Sequence, residues 1–200
     1  MIEERAERST LKPQAWSNQK FLKEEKIPTV SDVIGLFAEI NSPREQALLV
    51  LTYLTAGRIR EIVQKKGRTS IKKSDMKVVK ENGRDILLID LRNQKNKEKH
   101  RKDIPVPLDI TENALLWNMI DGYINPLEKD EELFPFSYQY AYERITKLTG
   151  WNPHWIRHLR LTHLVTVYGY KEYQLVRYAG WTDSRPAKNY VEMNWKDLLY

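Results

Sequence analysis

The chain has 200 residues, 41% of them hydrophobic and none of them cysteine, with 33 Lys and Arg against 27 Asp and Glu for a net charge of +6. That length and apolar content suit one full-sized domain, or one domain with a short arm, and exclude wholesale disorder; the missing cysteine excludes disulfides and thiolate metal sites and fits a reducing, cytoplasmic setting. No apolar run approaches the ~18 residues of a membrane span, and residues 1–26 lack the apolar core of a signal peptide.

In chain order, residues 1–26 show no apolar periodicity and read as a tail or linker that leads into a domain over 27–200. Ser31 is placed to cap a helix carrying Val33, Ile34, Leu36, Phe37 and Ile40. Ser42-Pro43 is a second start signal, and the run from Ala47 to Leu54 reads as a buried helix closed by Gly57. A short helix with Ile59, Ile62 and Val63 follows. Met76 to Val79 and Ile86 to Leu91 are strand-like and flank Glu81-Asn82-Gly83, a strong hairpin signal. A third run, Ile104 to Leu108, carries Pro105 and Pro107, which suit an edge strand. The remainder reads as helices: one with Leu115, Leu116, Met119 and Ile120; one from Ser137 to Gly150; one from Asn152-Pro153 to near Gly169; one over Lys171 to Ala179; and a last one broken around Pro186. The class is mainly α with a small three-stranded antiparallel β-sheet.

Lys65, Lys66, Arg68, Lys72 and Lys73 form one basic cluster, and Lys95, Lys97, Lys99, His100, Arg101 and Lys102 form another. They read equally well as solvated loops or as surfaces for a polyanion, of which DNA and RNA are the commonest. Helical spacing puts His154 and Arg157 on one face with His158 close by. His154 and His158 have a zinc-like spacing, but Trp155 stands where the zinc-protease pattern needs Glu, so no metal is expected.

Three segments taken together resemble the tyrosine recombinase (integrase) family, which itself resembles type IB topoisomerases. Thr55-Ala56-Gly57-Arg58-Ile59-Arg60-Glu61-Ile62 is similar to the family's first box, T-G-L-R-I-S-E-L. His154-Trp155-Ile156-Arg157-His158 is similar to H-x-L-R-H. Ala179-Gly180-Trp181 is similar to L-G-H, with Trp where His is usual, and Tyr190 follows nine residues later, as the family's nucleophile does. The departures at Ala56, Arg60 and Trp181 remove no catalytic charge.

The resemblance implies a DNA breaking and rejoining fold and cleavage through a 3′-phosphotyrosine, without metal, cofactor or ATP. Tyr190 would attack the phosphorus. Arg58 and Arg157 would clamp the nonbridging oxygens, for which the planar guanidinium is better suited than an ammonium. His154 would hydrogen-bond the phosphate or help take the tyrosine proton. Trp181 has an N–H donor and no acceptor, so it can bind an oxygen but cannot act as a base. The family keeps a catalytic Lys in the hairpin; Lys95 fits as the general acid, with Lys97 favoured instead when counting back from Pro105. Glu61 either positions an active-site group or is an ordinary surface carboxylate. His158 either braces the site or is a structural histidine. Lys65, Lys66, Lys72, Lys97, Lys99 and Arg101 would contact DNA.

The implied partner is double-stranded DNA, bound by a homo-tetramer on paired sites, in processes such as integration or mobile-element transfer. The separate DNA-clamping domain of the family is not expected within the 26-residue tail. Two other readings stand beside this one: a type IB topoisomerase that relaxes DNA, and a basic DNA-binding module that has kept the fold and lost catalysis.

Overall fold

The computed structural model describes residues 27–64, 69–92 and 101–197. The tail over 1–26 and Lys65, Lys66, Lys95, Lys97 and Lys99 lie outside the described residues.

Helix α1 (Val30–Ala38) is capped by Thr29 and not by Ser31. The Thr29 hydroxyl accepts from the Asp32 N–H at 3.1 Å, and the Asp32 carboxylate accepts from the Thr29 N–H at 2.8 Å. This reciprocal pair satisfies two otherwise unpaired backbone donors at once, which is why it takes the cap. Helix α2 (Pro43–Thr55) starts as the sequence indicates, on Ser42 with Pro43 in first position. Every residue from Ala47 to Thr55 is buried, so α2 forms the axis of the core, against α1, α4 and α6.

The end of α2 differs from expectation. Ala56, not Gly57, takes the left-handed conformation, with φ 43° and ψ 32°. Gly57 is needed for space instead: a Cβ there would meet Thr55 Oγ1 at 2.8 Å and Leu91 Cδ1 at 3.1 Å. The tight corner then feeds straight into α3 (Ile59–Ile62).

Strands β1 (Met76–Glu81), β2 (Arg84–Arg92) and β3 (Arg101–Pro107) form one antiparallel sheet in the order β1-β2-β3. Asn82 and Gly83, with φ of 50° and 77°, make the two-residue turn between β1 and β2, a geometry that matches strand twist. The prolines of β3 lie on an edge strand, as expected. Along β3 the side chains alternate: Lys102, Ile104 and Val106 are buried, while Asp103 and Pro105 are exposed.

The remaining helices are α4 (Thr111–Ile124), α5 (Tyr138–Thr149), α6 (Pro153–Thr166), α7 (Glu172–Ala179) and α8 (Arg185–Asp197). Ser137 and Asn152 cap α5 and α6, and Gly150 and Gly180 close α5 and α7 in the left-handed conformation. Pro186 does not break the last helix; it is the second residue of α8. First-turn N–H groups have no intrahelical partner, so proline is tolerated there. Among the described residues no helix is long and apolar enough to cross a membrane.

Gly57→Ala should destabilise the fold by about 1–3 kcal/mol, the range for overpacking a closed core. Urea denaturation at neutral pH measures it; an unchanged midpoint would show that the corner has slack.

Candidate active site

The α2–α3 corner sets the first two charged groups. Arg58 precedes α3, and Glu61 reaches back to it: its carboxylate accepts from the Arg58 N–H at 3.0 Å and from Nη1 at 3.2 Å. The Glu61 side chain is fully buried, so of its two readings the surface carboxylate is excluded. On its other side lies Lys102 of β3, whose Nζ is 3.2 Å from Glu61 Oε2 but off the hydrogen-bonding direction. Burial alone would raise the Glu61 carboxyl; Lys102, the Arg58 N–H and the guanidiniums of Arg157 and Arg58 outweigh it and hold the group below its ordinary value. Burial works against Lys102 in the opposite sense. Glu61 pulls its ammonium up and Arg157 and Arg58 push it down, and it ends at about 8.

Lys102 is the residue that sequence reasoning missed. It was lost in the run of basic residues from Lys95 onwards. The available signal was its alternation with Ile104 and Val106, which puts it on the inward face of the strand.

Helix α6 supplies the next group. Arg157 is buried, and its guanidinium donates through Nη1 to the Ala56 carbonyl and through Nη2 to the Ala179 carbonyl at 3.1 Å. Burial and the neighbouring Arg58 lower Arg157 to about 10, so it stays charged at neutral pH. His154, one turn earlier, is exposed. Burial, Arg157 and Arg58 lower it below the ordinary histidine value. His158 lies one turn beyond His154, with the two Nε2 atoms 3.0 Å apart and the rings edge-on at 4.5 Å. Burial, then His154 and Arg157, push His158 down to about 4. Among the described residues no third His, Cys, Asp or Glu joins this pair in a metal-ligand group.

Tyr190 sits on α8, in the second turn after Pro186, and is 7% exposed. Its hydroxyl is hydrogen-bonded to His158 Nδ1. Its ring stacks near both His158, at 5.7 Å and 22°, and Trp181, at 5.9 Å and 26°. Burial raises the phenol above its ordinary value, against the pull of Arg157. Trp181 follows the left-handed Gly180 and also faces Arg157, whose Cζ is 5.8 Å from the indole ring.

The structure thus brings together Arg58, Glu61, Lys102, His154, Arg157, His158, Trp181 and Tyr190. Of the residues read as contacting DNA, Arg101 begins β3. Lys72 is half-buried beside the turn Lys73–Asp75, with its backbone bridged to Glu132. Neighbouring Lys73 ties two segments together, since its ammonium donates to the Leu127 carbonyl at 2.7 Å, just beyond α4.

Two solved structures of the XerH site-specific recombinase bound to difH substrates match this fold. The post-cleavage complex with a palindromic difH substrate matches at TM-score 0.61 and 16% identity, covering 86% of this chain and 52% of that one. The pre-cleavage complex matches at TM-score 0.61 and 15% identity, covering 88% and 54%. The chain has the catalytic-domain fold of a tyrosine recombinase. It spans about half the length of those recombinase chains. No protein-family model and no curated protein matches it.

Glu61→Gln should cost about 3–5 kcal/mol at neutral pH, because Lys102 stays buried without its counter-charge. A carboxyl held low in the fold stabilises above its unfolded value of 4.5 and loses that contribution as pH falls through the folded value. Wild-type stability should therefore drop in acid, and the variant should lack that part of the slope. Denaturation curves between pH 7 and pH 3 measure both effects.

Proposed function

We propose that the chain is the DNA-cleaving and rejoining catalytic domain of a site-specific tyrosine recombinase, with Tyr190 as nucleophile. The observation that carries this reading is the convergence of a buried tyrosine hydroxyl with two arginines, two histidines and an indole from three separate stretches of chain: the α2–α3 corner, α6, and the α7–α8 region. Among the described residues the site holds three cations, Arg58, Arg157 and Lys102, against one carboxylate, Glu61. Such a surplus suits a phosphodiester, whose transition state gathers more negative charge on its nonbridging oxygens.

In this mechanism Tyr190 Oη attacks the phosphorus and the P–O5′ bond breaks. The 3′-phosphotyrosine conserves the bond energy, and the free 5′-hydroxyl of a new strand reverses the step. Arg58 and Arg157 hold the nonbridging oxygens; the Trp181 indole N–H adds a donor. The partner is double-stranded DNA, a reading supported by the difH substrates in the XerH structures, and strand exchange would pair two sites in a homo-tetramer. Exchange between two duplexes, beyond relaxation of one, is the expected activity.

Tyr190→Phe loses only the phenolic oxygen. It should still bind DNA and form no covalent adduct on a nicked suicide substrate. Adduct at the wild-type level would assign the nucleophile elsewhere.

The leaving 5′-oxygen takes its proton from a lysine of the β2–β3 arm: Lys95 by the sequence resemblance, with Lys97 as alternative. Lys102 has a different role, keeping Glu61 charged and Arg58 in place. A bridging 5′-sulfur leaves as a thiolate and needs no proton. Lys95→Ala should therefore cleave the oxygen substrate poorly and recover on sulfur, while Lys102→Ala should be equally impaired on both. Selective recovery of Lys102→Ala would move the acid to β3, and recovery of Lys97→Ala alone would move it two residues along the loop.

A further inference from the structure

Activation of the nucleophile needs an acceptor for its proton, and most nitrogen groups around Tyr190 cannot serve. Arg157 is charged, and its guanidinium only donates. Trp181, stacked near the tyrosine ring, has one N–H and no acceptor. The group in contact with the hydroxyl is His158 Nδ1. His154, the more obvious candidate by position, stands one step removed: its Nε2 is 3.0 Å from Nε2 of His158, and it is exposed where His158 is half-buried.

We propose that His158 is the proton acceptor for Tyr190 and that His154 is the relay that carries the proton on to solvent. The inference rests on the recombinase reading above and deepens it. The three groups form a line from the buried phenol to the surface, Tyr190 Oη to His158 Nδ1, then His158 Nε2 to His154 Nε2.

The line works in one direction only if the tautomers match. A phenol donates readily, so His158 Nδ1 accepts and its Nε2 carries the hydrogen. That N–H donates to His154 Nε2, which leaves the His154 hydrogen on Nδ1. As the Oη–P bond forms and the P–O5′ bond breaks, the phenol proton passes to His158 Nδ1. The His158 Nε2 proton passes to His154 Nε2, and the His154 Nδ1 proton leaves to water. The departing O5′ takes its own proton from the acid of the β2–β3 arm, so the charge balances. Burial and the nearby His154 and Arg157 favour neutral His158 before DNA binds, as an acceptor must be. A bound phosphodiester brings negative charge to the pocket and eases protonation of both rings during attack.

Two measurements test the proposal. The first needs no catalysis. Nitrogen-15 NMR of histidine-labelled wild-type protein should show His158 with hydrogen on Nε2 and His154 with hydrogen on Nδ1, and Tyr190→Phe should shift the His158 Nδ1 resonance. Hydrogen on His158 Nδ1 would make it a donor to the tyrosine and overturn the relay. The second uses a suicide substrate with a bridging 5′-sulfur, so that only nucleophile activation is read. Wild-type protein should form adduct. His158→Ala should bind the DNA normally and form adduct ~10²–10⁴-fold more slowly, the usual range for a lost general base. Added imidazole should restore part of the rate to His158→Ala and none to Tyr190→Phe. His158→Asn, which keeps a polar contact without a basic nitrogen, should remain slow. A normal adduct rate in either His158 variant, or a loss that imidazole does not relieve, would overturn the inference. Absence of adduct from the wild type would instead overturn the recombinase reading itself.

Discussion

The site depends on where the Arg157 guanidinium donates. Its partners are the backbone carbonyls of Ala56 and Ala179, at the C-terminal ends of α2 and α7. The last carbonyls of a helix lack intrahelical donors and carry the negative end of the helix dipole. A buried cation between two such ends satisfies both, and in doing so holds two chain corners against α6. One corner leads directly into Arg58 and Glu61; the other leads into Trp181. With Nη1 and Nη2 both engaged, the guanidinium is oriented before any ligand arrives. That is the sense in which the site is preorganised.

The electrostatics follow from the same geometry. Glu61 compensates one of the three nearby cations and cannot compensate all of them. The downward pressure on Arg157, from burial and Arg58, and on Lys102, from burial, Arg157 and Arg58, is the expression of that imbalance. An anionic ligand relieves it, so the pocket is least comfortable when empty. Burial of Tyr190 holds its phenol in the protonated form, against the pull of Arg157.

Much of the fold was legible because its punctuation is local. Ser42-Pro43, Asn82-Gly83, Ser137, Asn152, Gly150 and Gly180 all do what their chemistry suggests within one turn of chain. The errors arose where two local signals competed. Ser31 lost to Thr29 because only Thr29 has Asp32 three residues on. Pro186 looks like a breaker, and only the position of the helix start makes it a first-turn residue. At the site, the box residues could be named from the family resemblance, yet their contacts could not. That His158 and not His154 meets Tyr190 is a matter of how α8 packs on α6, across 32 residues of sequence. Lys102 is intermediate: its strand alternation was readable, but a basic run masks a period of two.

Helix α6 has a second attachment, five residues past His158. The His163 ring donates from Nε2 to the Pro28 carbonyl at 2.8 Å, and its Nδ1 accepts from the Tyr53 hydroxyl at 2.6 Å. Pro28 lies just before α1, where the chain comes in from its N-terminal side. At 1.5 Å of rise per residue, this tether is only about 7.5 Å along the helix axis from the histidine bonded to the Tyr190 hydroxyl. One stiff rod therefore carries both the contact to Tyr190 and the anchor of the incoming polypeptide. A tug on Pro28 is a lever on α6, delivered through the Pro28–His163 hydrogen bond, while the Tyr53 bond ties the same ring to α2.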